Sequence, residues 1–113
     1  MSLALEPSAA VVTVSGDVDI DIADELRALL ERAAGERRNV ILNLTMAHTI
    51  DAAGLGTLVR ARNAARRRQG ELLLAGPSPF IQTVLRTMRL HTAFRVFRSP
   101  DEAATATRDR HWS

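Results

Sequence analysis

Asn39-Val40-Ile41-Leu42-Asn43-Leu44, followed after a short gap by Thr49-Ile50-Asp51-Ala52-Ala53-Gly54-Leu55-Gly56, is the stretch whose reading decides the fold. The first segment is aliphatic and β-branched and is closed by polar Thr45, which suits a strand buried on both faces of an α/β sheet. The second carries helix signals at once. Asp51 is a good N-cap, because its carboxylate can accept from the free N–H groups of a first turn whose dipole also favours negative charge. Leu55, Leu58, Val59 and Ala65 then recur at helical spacing. Gly54 and Gly56 each cost about 1 kcal/mol relative to alanine inside a helix. A local reason must offset that cost, and close approach of another backbone, from this chain or a partner, supplies one.

Working outward, Leu3–Leu5 reads as an edge strand, with residues 1–9 otherwise weakly patterned and open to being flexible. Ala10–Ser15 reads as a strand ending at Gly16. The turn Gly16-Asp17-Val18-Asp19 leads into a helix over Ile22–Ala34, with Gly35 as its C-cap. Downstream, the central helix runs to Gln69 with Gly70 as its cap, and Glu71–Ala75 is another buried strand. Ser78-Pro79 opens a helix reaching Met88, with Ile81, Val84, Leu85 and Met88 as its core stripe. Phe94–Phe97 is a last short strand, Ser99-Pro100 opens a terminal helix through Thr107, and Arg108–Ser113 is a frayed tail. Repeated βα units with continuous aliphatic strands predict an α/β fold with a mainly parallel sheet of four to five strands and about four helices. It forms one domain over residues 1–113 with its core at about 10–107.

Composition bounds the function. A chain of 113 residues with 46% apolar content can fill a single core. It has no cysteine, hence no disulfide and no thiolate metal site, which agrees with a cytoplasmic location. No leader pattern and no window near the ~20 apolar residues of a membrane span occur, so export and membrane insertion are not expected. The pI of about 10.9 overstates the basicity: the formal charge is only +2, and every basic residue other than histidine is arginine. With 4% aromatics there are few stacking platforms, and direct nucleic-acid binding is not expected.

The chemistry is sparse. Asp17, Asp19 and Asp21 alternate like the start of a calcium loop, yet the sixth position is Ile22 rather than glycine and the twelfth is Ala28 rather than glutamate. They read as acidic residues at a turn and helix start. His48, His91 and His111 lack metal spacing; His48 is either a contact residue or an exposed loop residue. The junction offers Ala52 and Ala53 where a nucleophile elbow needs serine, and Gly54-Leu55-Gly56 alone is too short for a nucleotide-binding fingerprint. Arg60, Arg62, Arg66, Arg67 and Arg68 form either a solvated basic face favoured near a helix C-terminus, an acidic partner's docking surface, or a contact for phosphate-bearing ligands. These residues argue against an enzyme, and no cofactor or metal is expected.

A strand ending in Asn-Leu, then Asp51, two small residues, Gly54-Leu55-Gly56 and a helix resembles the STAS domain of bacterial anti-sigma factor antagonists. Ser15-Gly16-Asp17-Val18-Asp19 looks like that family's Gly-Glu-Leu-Asp turn. The resemblance implies a protein that captures an anti-sigma factor, a histidine-kinase-like ATPase, in a partner-switching pathway regulating transcription. It implies a docking surface of Asp17, Asp19, Asp21, His48, Thr49, Asp51, Ala52, Ala53, Gly54, Leu55 and Gly56. In the family the second residue after the aspartate is the serine phosphorylated by that partner. Ala53 stands there, so the usual acceptor is missing, and Thr49, read as a loop residue, is the substitute candidate, with Thr57 less accessible. The alternative implied by relatives that lack the serine pair is an accessory subunit of a phospholipid-trafficking transporter. A weak homodimer and nucleotide binding at the junction stay open.

Overall fold

The computed structural model describes residues 1–110. Five strands form one sheet in the order β1-β2-β3-β4-β5: β1 (Ser2–Leu5), β2 (Ala10–Val18), β3 (Asn39–Ile50), β4 (Glu71–Ala75) and β5 (Arg95–Phe97). β1 is antiparallel to β2 and every other pairing is parallel, so the sheet is mixed. Four helices occur among the described residues: α1 (Ile20–Glu36), α2 (Ala52–Arg67), α3 (Pro79–Thr87) and α4 (Pro100–Arg110).

The aliphatic strands are two-sided because both faces are covered. Ala10, Val12 and Val14 of β2, Val40, Leu42 and Leu44 of β3, and Leu72 and Leu74 of β4 pack under Leu26 and Leu30 of α1, Leu55 and Leu58 of α2, and Ile81 and Leu85 of α3. The alternate residues Val11, Ile41, Leu73 and Ala75 meet Ala103 and Ala104 of α4 on the other face. The period of two along each strand thus sorts the side chains into two apolar layers. No helix among the described residues is long and apolar enough to cross a membrane.

Several boundaries differ from those the sequence predicts. β2 continues through Gly16 to Val18, and β3 runs on through Thr45 to Ile50, so the expected turn and loop are both strand. The pairing of β2 with β3 slips at two points: Thr13 and Ser15 face Asn43 and Met46, and Gly16 and Asp17 face Ala47 and Thr49. Each slip places one extra residue in β3, as in a β-bulge. Leu44, Ala47 and Ile50 therefore all reach the same core layer at a spacing of three. That spacing hides the strand from a search for period two.

Gly35 is not a cap. α1 continues to Glu36 and is closed by extended Arg37, whose N–H donates to the Ala33 carbonyl at 3.0 Å and whose Nε donates to the Glu6 carbonyl at 2.8 Å. Past α2, Gln69 rather than Gly70 takes the left-handed position, at φ 63°. The Gly70 N–H then donates to the Ala65 carbonyl and the Gln69 N–H to Arg66, the paired bonds of a Schellman motif. Met88 is corrected as well: α3 stops at Thr87, and Met88 caps it as an exposed residue outside the core. Arg108–Arg110 belong to α4 rather than to a frayed tail, and the remainder of that expectation, 111–113, lies outside the described residues.

Candidate functional site

The adjacent parallel strands β2 and β3 end side by side, with Asp17 opposite Thr49 and Val18 opposite Ile50. Each feeds a helix on the same face of the sheet, so the N-termini of α1 and α2 start as neighbours. Asp51 joins them. Its Oδ1 accepts from the Gly54 N–H at 2.9 Å, as the N-cap pattern predicts, and its Oδ2 accepts from the Ile20 N–H of α1 at 3.1 Å. The Asp51 N–H in turn donates to the Val18 carbonyl at 3.1 Å. One carboxylate therefore satisfies a free donor in the first turn of each helix.

The glycine at 54 has a clear cause. A Cβ there would lie 2.2 Å from the Val18 carbonyl oxygen, so only glycine lets α2 seat against the end of β2. The close approach is intramolecular. Gly54 and Leu55 are both buried, with Leu55 in the core, so neither presents a side chain to a partner. Gly56 is half-buried, and a Cβ there would meet only the Arg60 guanidinium at 3.6 Å, an ordinary contact.

The remaining predicted residues range from exposed to buried. Asp17 is exposed, and its Oδ1 accepts from the Thr49 hydroxyl at 2.8 Å. Asp19, half-buried, is the N-cap of α1 and accepts from the Asp21 N–H at 3.0 Å; exposed Asp21 lies in the first turn. Thr49 is a half-buried strand residue, correcting its expected place on a loop. His48 is exposed on β3 and its carbonyl accepts from the Ser78 hydroxyl at 2.9 Å, tying the start of α3 to the same end of the sheet. Ala52 is exposed and Ala53 half-buried at the tip of α2. Thr57 is buried and its hydroxyl donates to the Ala53 carbonyl at 3.1 Å.

The sequence pattern does not reveal three apolar side chains on this rim. Ile20 is 73% exposed, Met46 60% and Phe80 52%. Ile20 bonds Asp51 through its N–H, Met46 lies between the two slips of β3, and Phe80 follows Ser78 by two residues. Their hydrophobicity looks like core signal in a sequence; what marks them is that the structure leaves them uncovered beside small and acidic neighbours. No group of three or more His, Asp or Glu side chains among the described residues is arranged to hold a metal ion.

The model of the STAS domain family matches residues 2–103, and the chain belongs to that family. Solved structures share the fold. SpoIIAA, a Bacillus cell-fate determinant and anti-sigma factor antagonist, in its unphosphorylated form, superposes with a TM-score of 0.83 at 20% identity, covering 96% of each chain. An anti-sigma factor antagonist from Mycobacterium paratuberculosis gives 0.80 at 19% identity, over 95% of this chain and 92% of that one. A sulfate transporter family protein from Wolinella succinogenes gives 0.80 at 24% identity, over 91% of this chain and 87% of that one.

Proposed function

We propose that this STAS domain is an anti-sigma factor antagonist that captures its anti-sigma factor through the rim at the ends of β2 and β3, and that it does so without a phosphorylation switch. The observation that carries the reading is the exposure at this end of the sheet: Ile20, Met46 and Phe80 are uncovered apolar side chains, Ala52 is exposed at the tip of α2, and Asp17 and Asp21 are exposed carboxylates. Uncovered apolar side chains beside small residues and carboxylates suit close protein docking with a polar border. The antagonists among the structural neighbours make an anti-sigma factor the partner of choice, and a histidine-kinase-like ATPase its expected form.

The missing switch follows from the side chains. A phosphoryl group at a helix N-terminus is stabilised by the free N–H groups, and it adds about −1.5 to −2 charge to a surface that must meet a partner. Ala52 and Ala53 cannot carry one. Thr49 is a poor substitute, because its hydroxyl already bonds the Asp17 carboxylate and a phosphoryl group would stand against that negative charge. Thr57 is buried with its hydroxyl on the Ala53 carbonyl. The protein is therefore constitutively competent to bind, acts without catalysis, and works in the cytoplasm where sigma factors are controlled.

Affinity capture from lysate of the native source, with the Ala53→Glu variant alongside and mass-spectrometric identification, tests this. An anti-sigma factor recovered by the native chain and lost by the variant is the expected result. Recovery of transporter subunits by both proteins would replace the reading with an accessory role in a transport complex, the function to which the resemblance between this fold and the Wolinella protein also points.

A further inference from the structure

The arginines of α2 lead to a second feature. A groove of about 380 Å³ runs between α1 and α2, away from the exposed tip of α2. That volume is within the range of small-molecule sites, about 300–1,000 Å³. Its origin is legible in the residues. The positions facing one another across the helices are small, Ala34 on α1 and Ala61, Ala64 and Ala65 on α2, so the helices leave space between them. Beneath them the buried core residues Leu30, Val40 and Leu72 close the base of the groove.

The rim is cationic. Arg27, Arg60, Arg67 and Arg68 surround the opening against a single carboxylate, Glu31. Glu31 is already engaged by Arg27 at 3.6 Å, and Arg68 donates to the Ala34 carbonyl at 2.8 Å. Arg60 and Arg67 have no hydrogen bond or ion pair among the described residues. Two uncommitted guanidinium groups thus stand over an apolar cleft, on one helical face and two turns apart.

We propose that this groove binds a single-chain amphipathic anion, an acyl chain ending in a carboxylate or phosphate, with the chain along the half-buried Ala34, Ala61 and Ala64 and the head group between Arg60 and Arg67. The lining narrows the choice of anion. No aromatic side chain lines the groove to stack a nucleotide base, and a bare inorganic anion would leave the half-buried alanines of the groove in water. The groove is independent of the docking rim, since it uses none of the rim's exposed side chains.

Titration with dodecanoate below its micellar concentration, followed by amide NMR and calorimetry, tests it. The expected result is saturable one-to-one binding with shifts centred on Ala61, Ala64 and Leu72. The double variant Arg60→Glu/Arg67→Glu, which changes only rim side chains, weakens it by at least tenfold, and Ala64→Phe, which fills the groove, abolishes it. Dodecyltrimethylammonium and inorganic phosphate leave the spectrum unchanged. Equal binding of the cationic amphiphile, or dodecanoate binding unaffected by the double variant, overturns the proposal. Phosphatidylglycerol vesicles distinguish the source: co-sedimentation lost in Ala64→Phe alongside dodecanoate binding supports a lipid chain as ligand. Vesicle binding with no dodecanoate binding overturns the groove as the site.

Discussion

The two halves of β3 do different work. Residues 39–44 are enclosed, with Val40, Leu42 and Leu44 under α1, α2 and α3 and Ile41 under α4. Residues 45–50 also pair with β2, but through two register slips, and the apolar layer under α4 takes Ile41 from β3 and no residue of 45–50. Thr45, Met46 and His48 are left exposed there while Ala47 and Ile50 hold the strand to the core. One strand is enclosed scaffold in its first half and, in its second, the exposed edge proposed above as the docking surface. A sheet can deliver a docking rim simply by extending past its covering helix, provided bulges keep one apolar row buried.

That contrast can be broken most severely in the first half. Leu42→Ala removes a fully buried side chain and should cost about 2–5 kcal/mol, read as a lower urea midpoint with an unchanged slope. Next comes the seam between the halves and α2. Gly54→Ala would gain up to about 1 kcal/mol from helix propensity, but the clash with the Val18 carbonyl involves backbone that cannot swing aside. Overpacking should win, leaving a net loss of about 1–3 kcal/mol by the same assay.

Asp51→Ala should cost about 1–2 kcal/mol, since it frees the Gly54 and Ile20 donors together. Hydrogen exchange sharpens that prediction: protection should fall at the first turns of both α1 and α2, and loss at α2 alone would show that the bond to Ile20 contributes nothing. Met46→Ser in the second half should change stability by less than about 0.5 kcal/mol, as surface substitutions do. It should nevertheless weaken capture of the anti-sigma factor about tenfold, or about 1.4 kcal/mol. Equal binding by this variant would place the interface elsewhere.

Legibility in the sequence follows the same division. The enclosed half of β3, β4 and the order of elements were legible because a continuous aliphatic run between helical patterns is stable only where both of its faces are covered. Asp51 as a cap was legible because capping is local, reaching only three residues to Gly54. Its second bond to Ile20 was not, since it depends on two helices beginning side by side across 31 residues of chain. The outer half of β3 looked like a loop because bulges replace alternation with a spacing of three. Leu55 was legible as core from its helical spacing, and the close approach at Gly54 from the cost of a helical glycine. Only the resemblance, which takes the motif as a unit, put both on the docking surface, whereas both are buried. Ile20, Met46 and Phe80 were invisible as a rim because exposure is a property of what fails to cover a residue.

The most direct test of the central claim is the intact mass and partner affinity of this protein after incubation with its captured anti-sigma factor and Mg-ATP. A binding surface without a switch predicts an unchanged mass and the same affinity with and without ATP. Addition of one phosphoryl group, mapped to Thr49 and accompanied by loss of binding, would contradict it.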